Sequence, residues 1–231
     1  MELKKFDPST ADANKIWLIV GPRNTGKTTL MKDLLYHTHK RYNNPMCCTS
    51  TKESFDMLQN IFPKQMIYSD GYNYEASENF VNLCVKYTSL NKSNIIVLDD
   101  CMYDTKVLKT ETMRKTHLNG RHYKITLFNA AQYIMHVPPE IRANIDYVFV
   151  MKDVNNSNKR KFYEYFFGMF SSFNEFKEVF DQCTDDYGCL VLDRTEAHKS
   201  SNSCVKWYKA SLDIPTFKIG DKFYFNNDAV V

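Results

Sequence analysis

The stretch that decides the fold is "IWLIVGPRNTGKTTLMKDLL", residues 16–35. Five residues from Ile16 to Val20 are apolar, as in a buried strand. A turn follows, and then Leu30, Met31, Leu34 and Leu35 recur at helical spacing. The turn reads Gly21, Pro22, Arg23, Asn24, Thr25, Gly26, Lys27, Thr28, which satisfies G-x-x-x-x-G-K-[ST] in full. Glycines there let backbone N–H groups curl toward phosphate oxygens, and the following helix aims its positive end at the same place. Lys27, expected as a solvent-facing loop residue, would reach the β- and γ-phosphates, and the Thr28 hydroxyl would sit on Mg²⁺. Thr29 completes the phosphate-facing set. The loop alone leaves a kinase, a switch and a motor open.

At 231 residues, with 43% hydrophobic and 25% charged, the chain fits one α/β domain or one core with a small appendage. A formal charge of +3 excludes a strongly basic field over the whole protein. No apolar run is long enough to cross a bilayer, and the first fifteen residues lack the apolar stretch of a signal peptide. Seven cysteines show no paired C-x-x-C pattern. Cys47, Cys48, Cys84 and Cys101 sit in or beside apolar segments and read as reduced core thiols, with a zinc site as the sharper alternative. These features point to a reducing compartment such as the cytosol.

Apolar runs alternate with helical patterns, which predicts a mostly parallel sheet covered on both faces. Strands are expected at 16–20, 46–51, 95–99, 124–130 and 147–151, with an edge piece at 65–68. Helices are expected at 28–42, 54–62, 77–90, 106–117 and 138–143. The texture changes after Asp153, so the chain divides at sequence level into a core, 1–153, and a segment, 154–231, that completes or flanks it. The second segment reads as two helices separated near Ser171 and Ser172, then strands at 189–192 and 204–208 joined as a hairpin by a polar turn. Its aromatic crowd, including Phe162, Phe166, Phe167, Phe170, Phe173, Phe176 and Phe180, suits either core packing or a subunit interface.

A phosphate loop needs a metal partner, and "NIIVLDDC" supplies one. Ile95 to Leu98 form an apolar run ending in Asp99 and Asp100. Two adjacent carboxylates at the end of a buried strand are costly without a cation. Alone, the pattern would as readily be a plain strand-to-loop exit. Beside a phosphate loop the first, Asp99, is expected to hold Mg²⁺ or its water shell, and the second, Asp100, to take a proton from the attacking water. Aspartate is shorter than the glutamate usual at that place, so the water would sit closer.

The segment "NGRHYKITLFNAAQYIMHVPPEIRANIDYVFVMKD", 119–153, carries a resemblance. Gly-Arg-His, an apolar strand ending near a glutamine, Val-Pro, Arg-x-Asn and a second apolar strand resemble the poxvirus-type genome-packaging ATPases of nucleocytoplasmic large DNA viruses. These belong to the FtsK–HerA superfamily of P-loop motors. The Asp-Asp pair and, weakly, "GCLVLD…VKWYKA" resemble the same branch.

The resemblance implies a RecA-like P-loop NTPase fold with a C-terminal helical segment and β-hairpin, ATP and Mg²⁺ as cofactors, and a homo-oligomeric ring. That ring would translocate double-stranded viral DNA into a capsid. It also implies capsid or inner-membrane virion proteins as partners, and a location in the virion and the virus factory of the host cytoplasm. Gln132 falls where the family has a sensor of the γ-phosphate. Arg121 falls where related motors place an arginine finger acting on a neighbour's ATP, with Arg142 as the rival. A basic stretch with Lys106, Lys109, Arg114, Lys115, Arg121 and Lys124, set against Asp104 and Glu111, is the candidate DNA contact, or else an ordinary solvated helix. Two other readings stand beside the motor: a nucleotide or metabolite kinase, and a capsid-associated nucleotide-binding scaffold without turnover.

Overall fold

The computed structural model describes residues 3–101, 106–134, 137–196 and 201–226. Their strands form one nine-stranded sheet. They are β1 (Lys4–Lys5), β2 (Ile16–Val20), β3 (Asn44–Thr49), β4 (Ile67–Tyr68), β5 (Asn94–Asp99), β6 (Ile125–Ala131), β7 (Tyr147–Met151), β8 (Gly188–Asp193) and β9 (Val205–Lys209). The spatial order is β1-β9-β8-β7-β2-β6-β5-β3-β4. The six strands from β7 across to β4 are parallel to their neighbours. β8 runs antiparallel to both β7 and β9, and β1 joins β9 in parallel.

The helices are α1 (Lys27–Thr38), α2 (Lys52–Leu58), α3 (Tyr74–Lys86), α4 (Glu111–Asn119), α5 (Pro139–Arg142), α6 (Asn156–Phe166), α7 (Phe173–Cys183) and α8 (Phe223–Asn226). The expected mostly parallel α/β sheet is therefore present, and the expected strands at 16–20 and 147–151 match β2 and β7 residue for residue. Elsewhere ends shift by one to a few residues. The expected helix at 28–42 is α1 followed by a 3₁₀ turn, and that at 106–117 is a 3₁₀ turn followed by α4.

Strand alternation divides the core in two. Ile16, Leu18 and Val20 of β2 face one layer, packed with Phe80 and Val81 of α3, Met113 of α4 and Phe162, Phe176 and Phe180 of α6 and α7. Trp17 and Ile19 face the other, with Leu30, Met31, Leu34 and Leu35 of α1 and Leu58 of α2. A strand buried on both faces has no polar side, which is why these strands read as unbroken apolar runs.

Most of the aromatic crowd after residue 154 is core packing, with Tyr163, Tyr165 and Phe173 half-buried against it. Phe162, Phe166, Phe167, Phe170, Phe176 and Phe180 are all buried in the first layer, against the inner face of the sheet. Residues 154–231 thus contribute α6, α7 and two strands to the same sheet. Two features were not expected. β1 is too short and too polar to announce itself. The stretch after β9 crosses back over the second layer, burying Phe217 and Ile219, and Asp221 then accepts from Asn43 beside β3. The polar turn joining β8 and β9 falls partly, at 197–200, outside the described residues.

Candidate functional site

Parallel pairing brings the C-terminal ends of neighbouring strands to one edge, and the register sharpens this. Thr49 of β3 pairs with Asp99 of β5, Asp99 with Ala130 of β6, and Ala131 with Val20 of β2. The next residue along each strand is therefore Ser50, Asp100, Gln132 or Gly21. The phosphate loop, the two carboxylates and the glutamine converge because their strands are in step. Two backbone bonds hold the row together: Gly21 N–H donates to Ala131 O (3.2 Å) and Asp100 N–H to Ala130 O (3.3 Å).

The loop is shaped by close packing. A Cβ on Gly21 would lie 2.5 Å from Met151 Cβ of β7, which no side chain survives without displacing the strand. Gly26 has φ of 90°, in the left-handed region, and starts α1. Helices α2, α3, α4, α6 and α7 each begin on a residue, Thr51, Asn73, Thr110, Asn155 and Ser172 respectively, whose side chain accepts a first-turn N–H. α1 begins on glycine with no side-chain acceptor. Its first-turn donors suit an external anion. Thr28 and Thr29 lie half-buried in that turn, with Pro22 and Thr25 half-buried and Arg23 and Asn24 exposed on the loop before it.

Lys27 departs from expectation. It is buried rather than solvent-facing, and its Nζ donates to Gly21 O and Pro22 O, both at 2.9 Å. An ammonium enclosed by its own loop must find acceptors, and the nearest are the carbonyls turned inward at the loop's start. Burial lowers its pKa, while the nearby Asp100 and Asp99 act in the opposite sense.

Asp99 is 1% exposed, and its Oδ2 accepts a short hydrogen bond from Ser54 Oγ of α2. Burial raises its pKa to about 6, with the Ser54 bond opposing and Asp100 assisting. Ser54 carried no sequence signal beyond its place three residues after Thr51, the cap of α2. Asp100 has φ of 52°, strained for a residue with a side chain. Its Oδ2 accepts from Gln132 Nε2 at 3.2 Å, and its Oδ1 is buried without a hydrogen-bond partner.

A buried carboxylate oxygen lacking a donor, beside a second carboxylate held in low dielectric, fits a site that takes a divalent cation. Among the described residues no cluster of three or more His, Cys, Asp or Glu is placed to hold a metal.

The raised pKa of Asp99 has a measurable consequence. The folded protein holds this proton to about pH 6, whereas the unfolded chain releases it near the ordinary carboxylate value, so this group lowers stability as pH rises through that window. Asp99→Asn keeps an acceptor for Ser54 and removes the ionisation. In metal-free buffer the variant should melt higher than the parent at pH 7.5, by an amount corresponding to up to about 3 kcal/mol. The difference should shrink to nothing as pH falls to about 4. A constant difference across that range would mean that Asp99 does not titrate there.

The two arginines lie elsewhere. Arg121 follows α4, where Nη2 donates to Asp146 Oδ1 at 3.2 Å; Asp146 Oδ2 accepts from Ile16 N–H at the start of β2, the opposite edge of the sheet from the loop. Arg142 donates through Nη1 to Val137 O, and its guanidinium carbon lies 3.8 Å from the Tyr165 ring centroid. The structure brings neither to this chain's own phosphate loop, whereas it joins Gln132 to Asp100. Of the basic stretch, Lys106, Lys109, Arg114 and Arg121 are exposed, Lys115 and Lys124 are half-buried, and Asp104 lies outside the described residues.

Comparison with known proteins agrees with this architecture. The model of the poxvirus A32 protein family matches residues 4–165, which include the loop, both aspartates and Gln132. The chain belongs to that family. The chain is 28% identical over 220 residues to the uncharacterised protein 088R of invertebrate iridescent virus 3, covering 93% of this chain and 83% of that protein. It is 27% identical over 254 residues to the uncharacterised protein L437 of Acanthamoeba polyphaga mimivirus, covering 98% and 87%. Among solved structures, B204, the DNA-packaging ATPase of Sulfolobus turreted icosahedral virus, superposes with a TM-score of 0.64 at 17% identity. That match covers 87% of this chain and all of B204. The segment of EssC from Geobacillus thermodenitrificans holding ATPases 2 and 3 superposes at 0.57 and 15% identity, over 93% of this chain and 42% of that one.

Proposed function

We propose that this chain is an Mg²⁺-dependent ATPase that drives double-stranded viral DNA into a capsid. The observation carrying the reading is the Asp100–Gln132 contact on the row of strand ends that also bears the phosphate loop. One group there accepts a proton and the next reports on the same place, which hydrolysis coupled to movement needs and simple nucleotide storage does not. Membership of the poxvirus A32 family and likeness to a DNA-packaging ATPase support it.

The roles follow from position. First-turn N–H groups of α1 and the Lys27 ammonium take the phosphates. Thr28 and Asp99 would hold Mg²⁺, which when bound neutralises charge developing on the phosphate oxygens. The oxygens of Asp100 stand where an attacking water would lose its proton. Gln132 both donates and accepts, so its bond to Asp100 breaks or reforms as the γ-phosphate leaves, and β6 carries that change into the sheet. Arg121 acts on a neighbouring subunit's nucleotide, and the exposed Lys106, Lys109 and Arg114 contact the DNA backbone within a ring. Capsid or inner-membrane virion proteins are the partners, in virion and virus factory.

The test is turnover with and without double-stranded DNA. The parent should be stimulated by DNA, less so as salt rises, because phosphate contacts release counterions. Asp100→Asn should keep ATP affinity and lose about 10²-fold or more in turnover. Stimulation by small nucleosides instead of DNA would make the protein a kinase, and unchanged turnover in Asp100→Asn would remove Asp100 from the chemistry.

A further inference from the structure

A nucleotide has two ends, and the site above accounts for one. β5 and β6 lie on one side of β2 in the sheet and bring the groups that act on the γ-phosphate. β7 and β8 lie on the other side. A triphosphate cradled by the loop, with its terminal phosphate toward Asp100 and Gln132, therefore runs its base toward the ends of β7 and β8.

A cleft of about 390 Å³ opens there, lined by Pro22, Asn24 and Thr25 of the loop and, opposite, by Val154 and Tyr187. Tyr187 immediately precedes β8 and is 68% exposed. Its Cδ1 lies 3.4 Å from where a Cβ on Gly26 would stand, so the ring borders the phosphate loop directly. Asp186 and Tyr187 have φ of 46° and 59°, two successive left-handed residues with side chains. Such backbone persists where the surroundings demand it, often at ligand sites. Val154, in the same lining, is 87% exposed. The charges around the cleft are matched: Lys152 pairs with Asp185 at 2.7 Å, and Lys209 with Asp186. A wall with an exposed ring, an exposed aliphatic group and paired charges suits a flat uncharged heterocycle better than another phosphate.

We propose that Tyr187 is the stacking platform for the nucleobase, in a cleft whose lining Val154 shares. The inference rests on the nucleotide reading of the loop and adds the residue that holds the other end of the ligand. Stacking is sequence-tolerant because every base has a π-face, so Tyr187 strengthens binding without itself selecting adenine.

The experiment compares Mg-ATP with Mg-tripolyphosphate, which has the phosphates and no base, by calorimetric titration of the parent, Tyr187→Ala and Tyr187→Phe. Tyr187→Ala should weaken ATP about tenfold or more and leave tripolyphosphate affinity unchanged, and Tyr187→Phe should bind ATP as the parent does. Equal ATP affinity in the parent and Tyr187→Ala overturns the proposal. So does an equal loss for both ligands, which would mean that Tyr187 only supports the loop. If the parent binds neither ligand, it is the nucleotide reading itself that fails.

Discussion

Replacing Lys27 by alanine should abolish ATP turnover, with a loss of at least about 10²-fold, while the protein still folds. The expected loss comes from the ammonium's two sets of acceptors. Without a ligand Nζ is satisfied by Gly21 O and Pro22 O. When a triphosphate occupies the loop, the same donor exchanges those carbonyls for phosphate oxygens and stabilises the charge that grows on them. Burial strengthens this because the local dielectric is low. Stability should change little by comparison: two side-chain to backbone bonds are lost, worth about 1 kcal/mol each, and the buried charge goes with them. Circular dichroism melting alongside a phosphate-release assay separates the two effects. Turnover at the parent rate would overturn the ATPase reading as a whole.

The second large effect is expected at Arg121. As a finger it acts in trans, so turnover should rise faster than linearly with protein concentration until rings form. Arg121→Ala should then cost on the order of 10³ in turnover with little loss of ATP affinity. The structure supplies a second readout. The Arg121 side chain is 58% exposed, and its partner Asp146 keeps Lys15 and the Ile16 N–H when Arg121 is removed. Loss of a half-exposed ion pair should lower stability by under about 1 kcal/mol. A small change in melting with a large change in turnover marks a finger, and the reverse marks a structural arginine.

Mixing sharpens the test. Lys27→Ala subunits have a dead site and an intact finger, and Arg121→Ala subunits the opposite, so mixed rings should recover part of the activity. If rings assemble, as sedimentation shows, and stay dead, the role passes to Arg142. That residue is less free to move: its guanidinium packs on Tyr165 and bonds Val137 O, so its removal should also cost packing.

Much of this molecule is determined by short-range pattern. A buried parallel strand must be apolar on both faces, so β2, β5, β6 and β7 stand out as runs. The phosphate loop is legible because Gly21, Gly26, Lys27 and Thr28 fall at fixed spacing within eight residues; the nearness of Met151 that requires glycine at Gly21 appears only in the fold. Asp99 and Asp100 are legible because a phosphate loop lies upstream; alone, an apolar run ending in two aspartates is a common strand exit. Gln132 and Arg121 stand out only through family resemblance, since a polar residue at a strand end has many uses.

Tertiary structure decided what depends on register and on distant contacts. One hydrogen-bonded row sets Asp99, Ala130, Ala131 and Val20 in step, and only that row turns Gln132 toward Asp100. Ser54 reaches Asp99 from a helix 45 residues earlier in the chain, and Tyr187 reaches Gly26 from the far half of the chain. Neither carries a local signal, because the partner that gives it meaning arrives only when the sheet closes. The burial of Lys27 has the same origin: its surroundings are the loop's own carbonyls together with Asp99 and Asp100 at the end of β5, which the sheet brings to it. Local chemistry thus named the loop and its carboxylates, and long-range pairing determined which side chains face them.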